Sequence, residues 1–247
     1  SRQEKILIML NGPRLNSYST NVAAPDFSIS LEKVKQIEVL RGPAASLYGG
    51  VALTSVINVI TKDAADVDGL KVKVSFGNFG QLKGDLLFGK RYMNLSILAW
   101  ADIYRSVVES YQVGYDDQPY ALIPNPGTIT IGGYNHQPSH DVGMTLRWED
   151  LTFTFNNTFS KTVAPYSMSM MFTAYDYDKF GVFNGNKPGF GTLSNYLDLK
   201  YEKTIGNWGL SASISYDTAK QQQYQVAGDL NMVGYYQLPT APVDTVY

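Results

Sequence analysis

Residues 35–62, KQIEVLRGPAASLYGGVALTSVINVITK, set a charged, turn-rich knot between two apolar runs. The knot, LRGPAASLYGG (40–50), holds Arg41, Pro43 and the glycines 42, 49 and 50, and VALTSVINVITK (51–62) follows it as a run fit for a buried strand. Gly42-Pro43 reads as a turn, and Gly42 and Gly49 supply backbone angles or close approach that a side chain would forbid. A turn alone does not explain why the whole string runs in this order.

Upstream, KILIMLNG (5–12) reads as a buried strand ending in a turn. LEKVKQIEVLRG (31–42) reads as a short amphipathic helix, with Leu31, Val34 and Ile37 inward, that passes into a strand. SVINVITK is another strand, and DAADVDG (63–69) reads as a linker. Residues 1–63 thus form a small α/β domain, 64–69 the linker and 70–247 a second domain.

From Leu70 onward the dominant period is two. LKVKVSFG (70–77), QLKGDLLFG (81–89), MNLSILAWADIY (93–104), HDVGMTLRWE (140–149), LTFTFNNTF (151–159), YLDLKYEK (196–203) and LSASISYD (210–217) alternate apolar with polar residues. Leu98 and Trp100 break the alternation in the third. Seven strands result. Their polar faces are long and strongly polar, as a water-filled lumen requires. Tight turns near Lys90–Arg91, Glu149–Asp150 and Gly206–Asn207 alternate with long excursions at about 105–139, 162–194 and 219–247, the loop asymmetry of membrane barrels. Tyr92, Trp148 and Trp208 fall at the tight-turn end, where an interfacial aromatic girdle belongs. The reading is a membrane all-β chain, an antiparallel transmembrane β-barrel preceded by a small α/β unit.

Composition agrees and removes several classes. Of 247 residues, 17% are charged, below the roughly 25% of an average soluble chain, while Tyr contributes 18 and Phe 11. A net charge of −2 offers no electrostatic invitation to nucleic acid. The absence of cysteine excludes disulfide scaffolds and thiolate metal sites. No apolar run reaches the roughly 20 residues of a membrane-spanning helix.

The string at 35–62, with ILIMLNGPRLN (6–16) before it, resembles the plug domain of TonB-dependent outer-membrane receptors. The family pattern is approximately a strand ending in Asp-Gly, then Ile-Glu-Val-Leu-Arg-Gly-Pro, Ala-Leu-Tyr-Gly and Gly-Val-Ile-Asn-Ile-Ile-Thr-Lys. The resemblance implies the C-terminal part of a plug inside a 22-stranded barrel, located in the outer membrane of a Gram-negative bacterium. It implies import of a scarce ligand, driven by the inner-membrane TonB complex through an N-terminal part that the match does not include. Arg41-Gly42-Pro43 is similar to the siderophore, haem and cobalamin branch; the glycan branch more often has Lys-Asp-Ala there. Asn11 replaces the family's Asp and is expected to weaken a local contact. With about seven strands of 22, the sequence is expected to be a fragment or one piece of a complex.

Site residues follow from the resemblance. Glu38, Arg41, Gly42 and Pro43 are expected to lock plug to barrel, with Glu38 or a wall carboxylate pairing Arg41, since an unpaired buried charge is costly. Asn16, Tyr18, Asn21, Tyr48 and Gly49 are candidates for contact with the ligand, a phenol such as Tyr48 being able to stack on a ring and to hydrogen-bond.

Other clusters carry less. Met168, Met170 and Met171 could hold a soft metal, but beside Phe172 and Tyr175 they read better as an adaptable apolar surface. Asp176, Asp178 and Gly181 imitate an EF-hand, yet Phe180 takes a ligand position and Lys187 the place of its glutamate. His136 and His140 lie in a Gly/Pro-rich loop, a poor frame for a shared metal. No nucleophile elbow, zinc signature or phosphate loop is present. The expectation is a non-enzyme without a cofactor or metal, whose partners are outer-membrane lipid, the TonB complex and a ferric siderophore, haem or cobalamin. The competing reading is a plugged barrel that does not transport and serves as a scaffold or partner-binding subunit of an outer-membrane complex. A soluble β-rich enzyme fits the lumen-like faces and unequal loops worse.

Overall fold

The computed structural model describes residues 5–16, 30–50, 52–106, 111–114, 128–131, 138–163, 189–225 and 243–246. Three strands form the N-terminal sheet: β1 (Ile6–Leu10), β2 (Val34–Arg41) and β3 (Ser55–Thr61). The apolar run of β3 lies in the centre, parallel to β1 and antiparallel to β2. Flanked by a strand on each edge, it buries Val56 and Val59, with Asn58 interrupting the apolar run. Leu7, Met9, Ala44, Ala52 and Val56 close a small core beneath it.

The expected helix at 31–37 is a single 3-10 turn, Leu31–Lys33, after which the chain is already strand. Its inward residue is Lys33, 1% exposed, while Leu31 and Ile37 face out. The apolar spacing suggested the opposite because the inside at this point is polar. The segment read as a linker contains the one-turn helix α2 (Ala64–Val67), whose Ala64 and Val67 are buried, and whose Asp63 N–H is accepted by Asp66 at 2.8 Å.

All seven expected strands are present in one antiparallel sheet. They are β4 (Gly69–Phe76), β5 (Leu82–Tyr92), β6 (Leu95–Arg105), β9 (Ser139–Trp148), β10 (Leu151–Val163), β11 (Gly189–Ile205) and β12 (Trp208–Gln225). An eighth, β13 (Val243–Val246), pairs with the end of β12, and β7 (Tyr111–Gly114) pairs with β8 (Thr128–Ile131) in a separate hairpin. The turn placed at Lys90–Arg91 falls instead at Met93–Asn94, because Lys90 and Arg91 are still in register with Ile97 and Ser96. Lys90 reaches Asp68 at 2.9 Å, so its charge marks the strand end rather than the turn.

The sheet has two unlike faces. One points at the N-terminal domain and is buried, with Asp85, Leu87, Leu98, Trp100, Asp102, Asp141, Thr145, Asn156 and Asp198 on it. The other carries exposed apolar residues on β4, β5, β6, β9, β11 and β12, among them Phe76 (81% exposed) and Ile214 (72%). An outward apolar surface of this extent has no stable home in water and a natural one in lipid. Tyr92, Trp148 and Trp208, all exposed, stand at the two-residue turns as an aromatic rim.

Candidate functional site

The site is the contact between the N-terminal domain and the inner face of the sheet, together with the free hairpin tip above it. Arg41 ends β2, and the tip turns at Gly42, whose φ of 116° suits glycine. Gly42 N–H donates to the Thr54 carbonyl and Ala44 N–H to that of Ala52, both at 2.9 Å, so the knot is a closed hairpin end, not a flexible connection. A short helix, α1 (Ala45–Tyr48), crosses the tip and Gly49 ends it at φ 82°. Tyr48 and Gly49 are exposed there, and Pro43 beside them is exposed too.

Below the tip, three parts of the sequence motif meet. Gly12 N–H donates to Asn58 Oδ1 at 3.1 Å, and Asn58 Nδ2 donates to Glu38 Oε2 at 3.2 Å. Glu38 also accepts from Gln36 at 2.9 Å. Glu38 therefore cross-links β2 and β3 and is not the partner of Arg41. Arg41 is exposed, and no ion pair to it occurs among the described residues. Asn11, at φ 53°, accepts from Thr61 N–H at 2.9 Å and donates to Thr61 Oγ1 at 3.0 Å. The contact expected to weaken is made by both ends of the amide, a role an aspartate could fill only by accepting.

Asn16, 2% exposed, accepts from Ile8 N–H at 2.7 Å and donates to the Ile6 carbonyl at 2.9 Å. Its amide extends the edge of β1 and is spent on backbone. Tyr18 and Asn21 lie outside the described residues, as do His136, Met168, Met170, Met171, Asp176, Asp178, Phe180, Gly181 and Lys187.

The residues that join the two domains were not on the sequence list. Lys33 Nζ lies 2.6 Å from Asp141 Oδ2 and 3.3 Å from Asn156 Oδ1, and 4.4 Å above the centre of the Trp100 ring. Trp100 Nε1 donates to Asp141 Oδ1 at 2.9 Å, and Ser30 N–H donates to Asp141 Oδ2 at 2.7 Å. Asp141 is fully buried, yet it accepts from an ammonium, an indole and a backbone amide, which together offset its desolvation. Burial pushes the Lys33 ammonium below the ordinary lysine range, and Asp141 pulls it back.

Register explains the node. Trp100, Gly143 and Asn156 form one cross-strand row, and Asp85, Asp102 and Asp141 the next. A Cβ on Gly143 would come within 2.5 Å of both the Phe155 carbonyl and the Trp100 ring, so glycine makes room for the indole. Lys83 Nζ stands 2.9 Å from Asp85 and 3.1 Å from Asp102, while the plug's Lys33 serves the third aspartate. Two further contacts hold the lower part. Arg147 pairs with Asp63, and Glu32 with Lys73 at 2.8 Å. α2 sits on Gly89, where a Cβ would meet Val67 at 2.6 Å. The sequence did carry a signal: Leu98 and Trp100, which broke the alternation, are the wall residues that this contact buries.

Residues 1–56 match the family model described as the TonB-dependent receptor plug domain. That part of the chain is a plug domain of the TonB-dependent receptor kind. The chain is 25% identical over 250 residues to the vitamin B12 transporter of Photobacterium profundum, a match covering 93% of the chain and 38% of that relative. It is 24% identical over 204 residues to the ferric enterobactin receptor of Pseudomonas aeruginosa, covering 76% of the chain and 26% of that relative. The crystal structure of the ferric enterobactin receptor in complex with BCV-L6 superposes with a TM-score of 0.60 at 18% identity, covering 99% of this chain and 37% of that one. The chain thus spans well under half the length of these relatives, and has the fold of the corresponding part of that structure: a plug seated against the inside of a barrel wall.

Proposed function

We propose that the chain is the plug and first wall of an outer-membrane receptor that binds and imports a ferric siderophore, haem or cobalamin, using energy delivered by the TonB complex. The observation that carries this reading is the hairpin tip. It presents Tyr48 and Gly49 to the open at the end of β2 and β3 opposite Asp63, and Asp63 is held by Arg147 at the tight-turn end of the wall. A rigid, exposed phenol on the loop side of a plug suits capture of a ring-bearing ligand. Two relatives are named for vitamin B12 and ferric enterobactin, and those names support a ligand of this class. Their names describe a transporter and a receptor, in keeping with a role other than catalysis.

The test is growth on each candidate ligand as the limiting source, with the receptor expressed in strains with and without the TonB complex. Growth should depend on both. Uptake that persists without the complex would refute energised import and favour a scaffold. In purified receptor, Tyr48→Ala should weaken ligand binding by about 1 kcal/mol, or roughly fivefold in Kd; an unchanged Kd would remove Tyr48 from the ligand surface.

A further inference from the structure

We infer that the inner face of β11 and β12 holds a seat for a protonated amine of the imported ligand, built from Tyr196, Asp198 and Asp217. The inference rests on the import reading above and names a chemical group that the ligand carries. Charge pairing along the wall sets these residues apart. Of the carboxylates that β5, β6, β9, β11 and β12 turn inward, Asp85, Asp102, Asp141 and Glu202 each have a lysine within 3.1 Å. Asp198 and Asp217, on one pair of strands, have none among the described residues. The inward residues around them, Ser194, Ser213, Ser215 and Ala219, are neutral, so nothing beside them balances the two charges.

A buried hydroxyl completes the group. Tyr196 is 8% exposed, and its hydroxyl, closed off from water, has no hydrogen-bond partner. A buried polar atom left in that state is destabilising until a donor or acceptor reaches it. Register sets Asp217 directly opposite Tyr196, while Asp198 stands two residues from Tyr196 on the same strand face, opposite Ser215. Opposite Cβ atoms lie about 5 Å apart, and the other two sides of this triangle are about 7–8 Å. One ammonium fits such a space, its three N–H groups reaching a carboxylate on either side and the phenol oxygen. Ser215 Oγ donates to Asp198 Oδ1 at 2.6 Å and holds that carboxylate in place. Asp198 is buried and Asp217 exposed, so the seat opens on the β12 side. Two carboxylates also repel an anion, which makes the seat selective for the sign of charge.

Position ties the seat to the plug. Asn156, which accepts from Lys33, lies directly opposite Tyr196. The wall thus holds one ammonium already, that of Lys33, with an aspartate, an amide oxygen and an aromatic ring. The neighbouring strands repeat those ingredients without supplying the cation. A ligand passing between plug and wall comes within reach of them.

The experiment titrates purified receptor in detergent at low ionic strength with putrescine, a four-carbon diammonium, by calorimetry, with the corresponding diol as the blank. It is repeated for Asp198→Asn, Asp217→Asn and Tyr196→Phe, and for Glu202→Gln, an inward carboxylate that already has Lys200. Folding is checked by heat-dependent migration on gels. Putrescine should bind saturably and the diol should not. Either asparagine should weaken binding about tenfold and Tyr196→Phe about fivefold, with Glu202→Gln like the parent. No saturable binding, equal binding of the diol, unchanged affinity in the three seat variants, or an equal loss in Glu202→Gln would each overturn the inference. Competition reads the source of the amine. Whichever ligand supports TonB-dependent growth should displace putrescine; one that leaves it bound overturns the amine seat while the import reading stands. Putrescine binding in a receptor whose uptake does not need TonB refutes only energised import.

Discussion

Lys33 shows how one residue can decide where a domain sits. Its ammonium is almost wholly removed from water, and its partner Asp141 entirely so. Breaking such a pair from one side strands the other charge, at a cost of about 3–5 kcal/mol. Lys33→Ala should therefore loosen the plug strongly, read as faster hydrogen exchange in β3 and a lowered unfolding temperature of the receptor. Lys33→Met combined with Asp141→Asn should recover part of that loss, because no charge is left buried; the amide oxygen can accept from Ser30 while Trp100 Nε1 still reaches Asn156 Oδ1 at 3.2 Å. A double variant no better than the single one would show that the ion pair itself, not the stranded carboxylate, supplies the stability. Gly143 makes a second test. Alanine there must push Trp100 or the β10 backbone aside, costing about 1–3 kcal/mol; thermal unfolding indistinguishable from the parent would contradict the tight row.

At the scale of elements, the hairpin tip and the one-turn helices repay attention to backbone angles. Gly42 has open space around a built Cβ, so the cost of Gly42→Ala is conformational alone, about 1–2 kcal/mol for a left-handed angle. Ligand affinity should fall with it if the tip must be rigid to present Tyr48, and the loss should appear in Kd at unchanged barrel stability. The strands were legible in the sequence wherever one face meets lipid and the other polar groups, since period two is then enforced. The 31–37 helix was misread for the same physical reason. Leu31, Val34 and Ile37 have helical spacing, but the buried neighbour at that point is an aspartate on the wall, and so the lysine turns inward.

For the whole molecule, the decisive property is the inverted arrangement of the sheet, polar within and apolar without. Ile214 lies mid-strand on the outward face, 72% exposed. In a bilayer, Ile214→Lys should destabilise by about 2–4 kcal/mol, while Ser213→Lys on the inner face should cost little. Equilibrium unfolding in lipid vesicles distinguishes the two. A soluble sheet would give the reverse order, since a lysine on its wet face is harmless and one on its packed face is not.

The sequence by itself determined the plug motif, the seven strands and the aromatic rim, because each rests on local chemistry: glycine angles, period two, and turns. It also marked the place of contact, through the two residues in β6 that broke the alternation. Only the tertiary structure decided what holds plug to wall. Lys33 and Asp141 lie 108 positions apart, and nothing local distinguishes that aspartate from its neighbours. Pairing of β6, β9 and β10 puts Trp100, Asp141 and Asn156 around one point, and the energy of a buried charge depends on that convergence rather than on any residue's neighbours in the chain.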